Sequence, residues 1–148
     1  MPGVVSEIEI AAPPDAVWDV VMDPRRLADW VTTHHALGDD APSELSEGST
    51  FEQTLKVGGP KFDVTWTVVE ADRPRRVEWE GDGPAGSSAG VVYELEPKGS
   101  HATTFKYDNN FKLPGGALGR LAGKTVGAAA AKREAERSLA NLKRLIEG

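Results

Sequence analysis

The C-terminal stretch, residues 115–148, restricts the fold more than any other part of the sequence. Its apolar residues recur at steps of three, four or seven, the spacing of an amphipathic helix, and its charged residues fall mostly on the opposite side. Such a helix spans roughly 45 Å at about 1.5 Å per residue, which is long for so small a chain. It needs a large concave apolar surface to cover its stripe, which consists of Leu121, Ala128, Ala131, Ala135, Leu139, Leu142 and Ile146.

The middle of the chain can supply that surface. Residues 49–112 contain five segments in which apolar and polar residues alternate, separated by short turns rich in Gly, Pro and Asp. Residues 4–12 predict an earlier strand, residues 15–22 and 24–31 predict two short helices, and a weak edge strand is expected near Leu37 within a polar loop. Short turns join antiparallel neighbours. We therefore predict one α+β domain, residues 1–148, in which a curved antiparallel sheet wraps around the final helix.

The composition indicates the cellular compartment of the protein. The chain has no cysteine, so it has no disulfide and no thiolate nucleophile or metal ligand. No apolar run is long enough to span a membrane, and residues 1–12 lack the apolar centre of a signal peptide. We expect a cytoplasmic protein without an integral membrane segment.

Charge is distributed unevenly along the chain. Residues 1–114 carry 10 Lys and Arg against 20 Asp and Glu, whereas residues 115–148 carry 7 against 3. A nucleic-acid-binding domain needs a basic face, and an acidic body argues against one. We expect no nucleic-acid partner and predict that the basic helix packs against an acidic sheet. The sequence does not identify a protein partner.

Four segments occur in an order that is typical of one superfamily. Residues 12–18 (APPDAVW) follow the first strand, residues 23–30 read DPRRLADW, Gly48 precedes a strand, and residues 68–77 read VVEADRPRRV. Together with the long final helix, this order resembles the START-like (SRPBCC) superfamily, the helix-grip fold of polyketide cyclase/dehydrase-like, lipid-transfer and plant pathogenesis-related proteins. The resemblance covers nearly the whole chain and implies a β-α-α-β6-α arrangement.

The resemblance also implies a cavity between the sheet and the final helix that holds an apolar molecule such as a lipid, sterol or polyketide. The expected function is binding, with transport as one form of it, of a small hydrophobic ligand without a cofactor. One alternative is a polyketide cyclase or aromatase-type enzyme. Residues 30–34 (WVTTH), 56–60 (KVGGP) and 66–69 (WTVV) are similar to small actinobacterial members, some of them toxins of toxin–antitoxin pairs. The other alternative is therefore a toxin that acts through its surface.

Aromatic residues on the predicted strand faces are the candidates for the wall of the cavity. A single aromatic residue in such a strand is more often plain core, but the set as a whole suits a lined pocket. Amide and hydroxyl groups among them would orient one polar group of the ligand, because a buried amide needs hydrogen-bond partners. The candidate ligand-binding residues are Trp30, His34, Phe51, Gln53, Phe62, Val64, Trp66, Trp79, Phe105, Tyr107, Asn109, Leu118, Leu121 and Thr125.

Two histidines follow the second helix, where the resembling fold has its cavity entrance. A histidine there can act as a general acid or base, but a pair of solvated loop side chains is the favoured interpretation of His34 and His35. A metal site is disfavoured because adjacent histidines rarely bind one ion and His101 is distant in the sequence.

An enzyme would also need a proton-transfer group inside the pocket. Only His34, Tyr107 and Glu94 qualify, and none has an identifiable partner in the sequence, so no catalytic residue is assigned. The register of its strand leaves open whether Tyr93 faces the cavity.

Two segments partly match catalytic or nucleotide-binding motifs but do not support those functions. Residues 86–90 (GSSAG) spell G-x-S-x-G, but a loop precedes them and a strand follows, whereas a nucleophile elbow needs a strand and then a helix. Residues 119–125 (GRLAGKT) are one residue too short for a phosphate-binding loop.

Glycines recur every four residues from Gly115, and each interior glycine destabilises a helix by about 1 kcal/mol relative to alanine. We expect a loose or kinked helix near Gly123 to Gly127, which would act as a lid.

Overall fold

A computed structural model describes residues 3–39, 41–42, 44–56, 61–83, 86, 88–112 and 125–148. Among these residues, seven antiparallel strands form one sheet, and a long helix ends the chain. The elements in chain order are β1 (Gly3–Ile10), α1 (Pro14–Val21), a 3₁₀ turn (Pro24–Arg26), α2 (Leu27–Trp30), β2 (His34–Leu37), β3 (Thr50–Lys56), β4 (Lys61–Asp72), β5 (Arg76–Asp82), β6 (Ser88–Lys98), β7 (Ala102–Lys112) and α3 (Thr125–Glu147).

The strand order of the sheet is β1-β7-β6-β5-β4-β3-β2. Strands β2 to β6 each pair with the next strand along the chain. The first strand instead pairs with the last, from Gly3 opposite Asn110 to Ile10 opposite Thr103. The sheet curls into a half-barrel with helices on its concave side, which confirms the predicted α+β helix-grip fold.

Alternation of side chains along each strand produces the two faces of the sheet. In β6, the side chains of Ala89, Val91, Tyr93 and Leu95 are buried, whereas the residues between them are partly exposed. The same alternation in β3, β5 and β7 places the apolar side chains of all four strands on the concave face. This face is therefore the core of the protein, and any interior site has to be built on it.

Two short helices follow β1, as predicted. Pro14 stands in the first turn of α1, where its missing N–H leaves no intrahelical hydrogen bond unmade, and Val17, Trp18 and Val21 are buried. The side chain of Asp23 accepts a hydrogen bond from the backbone N–H of Arg25 and so caps the 3₁₀ turn.

Helix α3 buries Ala135, Ser138, Leu139 and Leu142. This burial confirms the predicted stripe for the C-terminal half of the helix. The remaining part of the stripe and the predicted kink cannot be compared with the structure, because the described residues exclude Gly115, Gly119, Leu121 and Gly123 together with the side chains of Ala128 and Ala131.

Two lysines of α3 contact the sheet through its main chain. Lys132 Nζ donates to the carbonyl of Val5 at 3.1 Å, and Lys143 Nζ donates to the carbonyl of Glu9 at 2.9 Å. In return, the Glu147 carboxylate accepts a hydrogen bond from the N–H of Ala11 at 2.8 Å. The predicted contact between a basic helix and an acidic sheet thus takes a different form in the described part of the chain. The helix satisfies the polar groups along the open edge of β1.

The segment from Thr32 to Gly48 differs from the predicted polar loop at its start. Strand β2 begins at His34 and contains both histidines, so the interpretation of His34 and His35 as loop side chains is wrong. The reason is tertiary: β3 offers a free edge, on which His34 pairs with Leu55 and Leu37 pairs with Gln53.

Strand β5 is longer than the sequence predicted. Residues 81–86 (GDGPAG) are rich in Gly and Pro and predict a loop, but β5 continues to Asp82, and Gly81 is buried opposite Trp66 on β4. Farther along, Ser88 lies at the start of β6 rather than on a strand-to-helix turn, so Ser88 does not have the position of the serine in a nucleophile elbow.

Replacing Leu142 by alanine tests the contact between α3 and the sheet. The side chain is fully buried, so Leu142→Ala should lower the free energy of unfolding by about 2–5 kcal/mol, measured by urea denaturation followed by circular dichroism. Arg137→Ala is the control on the same helix, since the Arg137 side chain is 67% exposed. Equal stability of the two variants would contradict the burial of the helix.

Candidate functional site

A continuous wall of aromatic rings covers the concave face of the sheet. The rings come from five neighbouring strands and from α2, and the centroids of neighbouring rings lie 5.2–6.4 Å apart. Most of the pairs meet edge to face or tilted, the arrangements that aromatic quadrupoles favour. This aromatic wall consists of Trp30, Phe51, Trp66, Trp79, Tyr93, Phe105 and Tyr107.

Tyr93 is the centre of the aromatic wall. Its ring contacts those of Trp30, Trp79, Phe105 and Tyr107, with centroid distances of 5.8, 5.3, 5.2 and 5.7 Å. Burial raises the pKa of its phenol well above the usual value, and the nearby Tyr107 raises this pKa further, so the ring stays neutral. The sequence left its orientation open. The alternation with Val91 and Leu95 was the available signal, because both are buried on the same face.

A buried amide connects the wall to the edge of the sheet. Trp66 Nε1 donates to Gln53 Oε1 at 2.8 Å, and Gln53 Nε2 lies 2.8 Å from His34 Nδ1. The Gln53 side chain is thus hydrogen-bonded at both ends, which explains how an amide that is only 4% exposed is tolerated on an apolar face.

His34 stands at the β2 edge of the concave face and is half-buried. Burial lowers the pKa of His34 below its usual range, and the neighbouring His35 lowers it further. The imidazole is therefore neutral near pH 7. Because the folded-state pKa lies below the unfolded value of about 6.5, His34 contributes stability that is complete above about pH 6.5 and is lost as the pH falls below it.

A second polar pair lies on β7. Asn109 Nδ2 donates to the hydroxyl oxygen of Tyr107 at 3.1 Å. Burial raises the pKa of Tyr107 to about 12, although the hydrogen bond from Asn109 opposes this increase. Tyr107 thus remains a phenol at neutral pH and can donate its own proton to an acceptor.

Helix α3 holds the segment that leads into β2. Ser138 Oγ accepts a hydrogen bond from the N–H of Thr32 at 3.0 Å, and the Thr32 hydroxyl donates to the Glu134 carboxylate. One turn further, Asn141 Nδ2 donates to the carbonyl of Trp30 at 3.3 Å. These contacts fix the backbone on both sides of Val31, and therefore the positions of Trp30 and His34 relative to the helix.

Two indole N–H groups of the wall have no hydrogen-bond partner within the described part of the chain. They belong to Trp30 and Trp79, and both are buried. An unpaired buried donor costs stability that apolar side chains of the same shape would not cost. The aromatic wall therefore stabilises the fold less than an apolar core of the same shape would.

Most of the residues predicted for the site meet on this face. The structure places the side chains of Trp30, His34, Phe51, Gln53, Val64, Trp66, Trp79, Phe105, Tyr107 and Asn109 on the concave side. For Phe62 and Thr125 only the backbone is described, in β4 and at the start of α3. Leu118 and Leu121 lie outside the described residues.

Glu94 does not belong to the concave face. Its neighbours Tyr93 and Leu95 point inward, and the Glu94 carboxylate lies 3.5 Å from the Arg76 guanidinium on the opposite face. Its selection as a candidate proton-transfer group inside the pocket is therefore wrong. Strand alternation decides this point, since a strand cannot present adjacent side chains to one face.

An open depression of about 230 Å³ lies beside the middle of β3 and the end of β2. Glu52, Thr54 and Asp63 line much of it, so it is polar and carries acidic groups. It does not have the apolar lining that a hydrophobic ligand needs. Within the described ranges, no group of three or more His, Asp or Glu side chains is placed to hold a metal ion, and no helix is long and apolar enough to cross a membrane.

The fold and its concave aromatic face define a helix-grip protein of the START-like type. The chain belongs to the polyketide cyclase/dehydrase and lipid transport family, whose sequence profile matches residues 1–147. The uncharacterized protein Rv1546 of Mycobacterium tuberculosis is 28% identical over 140 residues, which cover 94% of both chains.

Solved structures share the fold at lower identity. TTHA0849 from Thermus thermophilus is 20% identical with a TM-score of 0.78, covering 98% of this chain and 97% of its own. The Zhui aromatase/cyclase from Streptomyces sp. R1128 is 18% identical with a TM-score of 0.76, covering 99% of this chain and 93% of its own. At these identities the likeness establishes the fold and nothing more specific.

Replacing Gln53 by glutamate tests the contact between Gln53 and His34. A carboxylate beside the imidazole favours the protonated form, so Gln53→Glu should raise the pKa of His34, followed by NMR titration of the ring signals. Lys56→Gln is the control, because it changes the net charge equally at an exposed site on the same strand. A larger increase in the control would contradict the contact.

Replacing Gly81 by alanine tests how the ring of Trp66 is seated. A Cβ atom on Gly81 would lie 2.6 Å from Val64 Cγ1 and 2.9 Å from Trp66 Cε3. Gly81→Ala should therefore displace the indole, alter the near-ultraviolet circular dichroism and destabilise the protein by about 1–3 kcal/mol. Gly99→Asn should change neither, because Gly99 has open space around it and its φ of 68° is one that asparagine tolerates. An unchanged aromatic spectrum in Gly81→Ala would refute this packing.

Proposed function

We propose that the protein binds a small, largely apolar molecule against the aromatic wall, between the sheet and α3. The observation that carries the proposal is the combination of seven contiguous rings with polar side chains at both sides of the same face. His34 on β2 and Asn109 on β7 are half-buried there, and each makes a hydrogen bond to another residue of that face.

A sealed core would not need this combination. Burying a polar group is unfavourable unless it is paired, and aliphatic residues would fill the same space without that penalty. A ligand site does need it, because rings supply apolar contact area while a few placed polar groups fix the orientation of the bound molecule. The family description, which includes lipid transport, supports the same function.

A polyketide cyclase or aromatase-type reaction is the second candidate. One observation favours it: His34 is a neutral imidazole at the edge of the concave face, and the ring N–H of such an imidazole can act as a general acid towards a bound carbonyl. The family description names polyketide cyclases, and Zhui is an aromatase/cyclase with the same fold. A polyketide synthase cluster around the gene would favour this candidate over simple binding.

Native mass spectrometry of the purified protein, followed by solvent extraction, tests the proposed binding. Wild-type protein should carry a discrete added mass. Asn109→Lys should reduce its occupancy about 10-fold or more, because the lysine stem fills part of the concave face and its charge disfavours an apolar neighbour. Asp108→Lys, on the opposite face of β7, should retain the ligand.

The folded state of both variants is checked by circular dichroism. A wild-type protein that is free of ligand after purification, and stays free against fatty acids, sterols and aromatic polyketides, would overturn the proposal. Equal loss of ligand in the two lysine variants would overturn the placement on the concave face.

A further inference from the structure

The hydrogen bonds among Trp66, Gln53 and His34 determine where the imidazole carries its proton. An indole N–H can only donate, so the Gln53 atom 2.8 Å from Trp66 Nε1 must be the amide oxygen. The other end of the amide is then the NH₂ group, which also can only donate. Because this group lies 2.8 Å from His34 Nδ1, that nitrogen must accept, and the proton of the neutral ring is on Nε2.

The order of these contacts runs from the interior to the edge of the face. Trp66 and Gln53 are each 4% exposed, whereas His34 is half-buried. Among the residues that the structure describes, no group bonds to His34 Nε2, and this nitrogen is not among the buried unpaired atoms. The arrangement therefore leaves one N–H donor that is held in place and open to a partner.

We propose that His34 Nε2–H is the donor that holds a carbonyl oxygen of the bound molecule, and that Gln53 and Trp66 are positioning residues that fix the required tautomer. This inference rests on the proposed binding function and names the polar group of the ligand. The ligand class is an apolar or aromatic ketone, ester or related carbonyl compound.

The chemistry of the imidazole disfavours two other chemical groups as partners of His34. A cationic ligand needs an acceptor, but the lone pair of Nδ1 is already used by Gln53 and Nε2 carries the proton. A carboxylate ligand would favour the imidazolium form, which requires a proton on Nδ1 and breaks the hydrogen bond from Gln53. A neutral carbonyl oxygen accepts from Nε2 without either change.

Helix α3 and the β2 bulge support the same geometry. The pairing of β2 with β3 shifts register between His34 and Ala36, so the backbone at His34 departs from regular strand geometry. The N–H of His34 donates to the carbonyl of Val31 at 3.1 Å, and the residues on either side of Val31 are bonded to α3. The ring is thus held by the backbone as well as by Gln53.

Two probes that differ by one carbonyl group test the inference. Binding of 1-tetralone and of tetralin is measured by tryptophan fluorescence at pH 8, where the imidazole is neutral. The ratio of the two affinities is compared between wild type and His34→Phe, and it should move about 5-fold or more towards tetralin in the variant. His35→Phe is the matched control, because His35 is the neighbouring imidazole and is exposed, and its ratio should equal that of the wild type.

The outcomes separate this inference from the proposed function. If both probes bind and the ratio is the same in His34→Phe as in wild type, the carbonyl contact is refuted while the pocket stands. If neither probe binds, the pocket and the carbonyl contact fail together. An equal shift in His35→Phe would refute a specific role for His34.

Nitrogen-15 NMR of the histidine rings tests the positioning role without a ligand. Wild-type protein should show His34 protonated at Nε2 only, and Gln53→Met should bring the shifts of the two ring nitrogens closer together, because the tautomer is no longer fixed. A merely structural role of Gln53 would leave the tautomer unchanged. A proton on Nδ1 in the wild type would overturn the inference directly, whatever the variants do.

Discussion

The structure depends on the mutual burial of α3 and the concave face of the sheet. A single amphipathic helix has nothing to cover its apolar stripe, and a curled sheet with rings on its inner face has nothing to cover those rings. Leu139 and Leu142 of α3 are buried in the same core cluster as these rings. Lys132 and Lys143 add the polar part of the same contact, since they bond to carbonyls of β1. The packing of α3 therefore stabilises the helix, the edge of the sheet and the core together.

This packing places the candidate site on the same face of the sheet that stabilises the fold. The rings around Tyr93 contact one another closely enough to form a rigid wall, and Gln53 joins this wall to His34 through hydrogen bonds that leave little freedom for either side chain. Rigidity of this kind lowers the entropy lost when a molecule binds. It also explains why Gly81 is needed, because the indole of Trp66 lies where any larger side chain would be.

The sequence predicted the parts of the structure that depend on local periodicity. The alternation in β6 and the spacing of Leu139 and Leu142 in α3 are each visible within a dozen residues. The order of the elements followed from the same patterns, and the family resemblance added the side of the sheet on which a site would lie.

The remaining features depend on partners that are distant in the sequence. The weak edge strand expected near Leu37 is confirmed as β2, but its start at His34 depends on the edge that β3 offers, so the local composition did not reveal that the histidines belong to it. Gly81 was predicted to begin a loop, because its sequence neighbours are rich in Gly and Pro. In the structure it leaves space for Trp66, which lies 15 residues earlier and whose contact the local sequence does not show. The sequence indicated that the amide of Gln53 needs hydrogen-bond partners. Only the three-dimensional structure identifies Trp66 and His34 as those partners.

The four tryptophans of the chain allow the most direct test of ligand binding at the aromatic wall. Trp30, Trp66 and Trp79 belong to the wall, whereas Trp18 lies on α1 outside it and serves as an internal reference. The protein is labelled with 5-fluorotryptophan and titrated with 1-tetralone while fluorine-19 NMR follows each ring. Binding at the wall should move wall signals in a saturable manner and leave the Trp18 signal in place. A saturable shift confined to Trp18, or no shift at any position, would contradict the account.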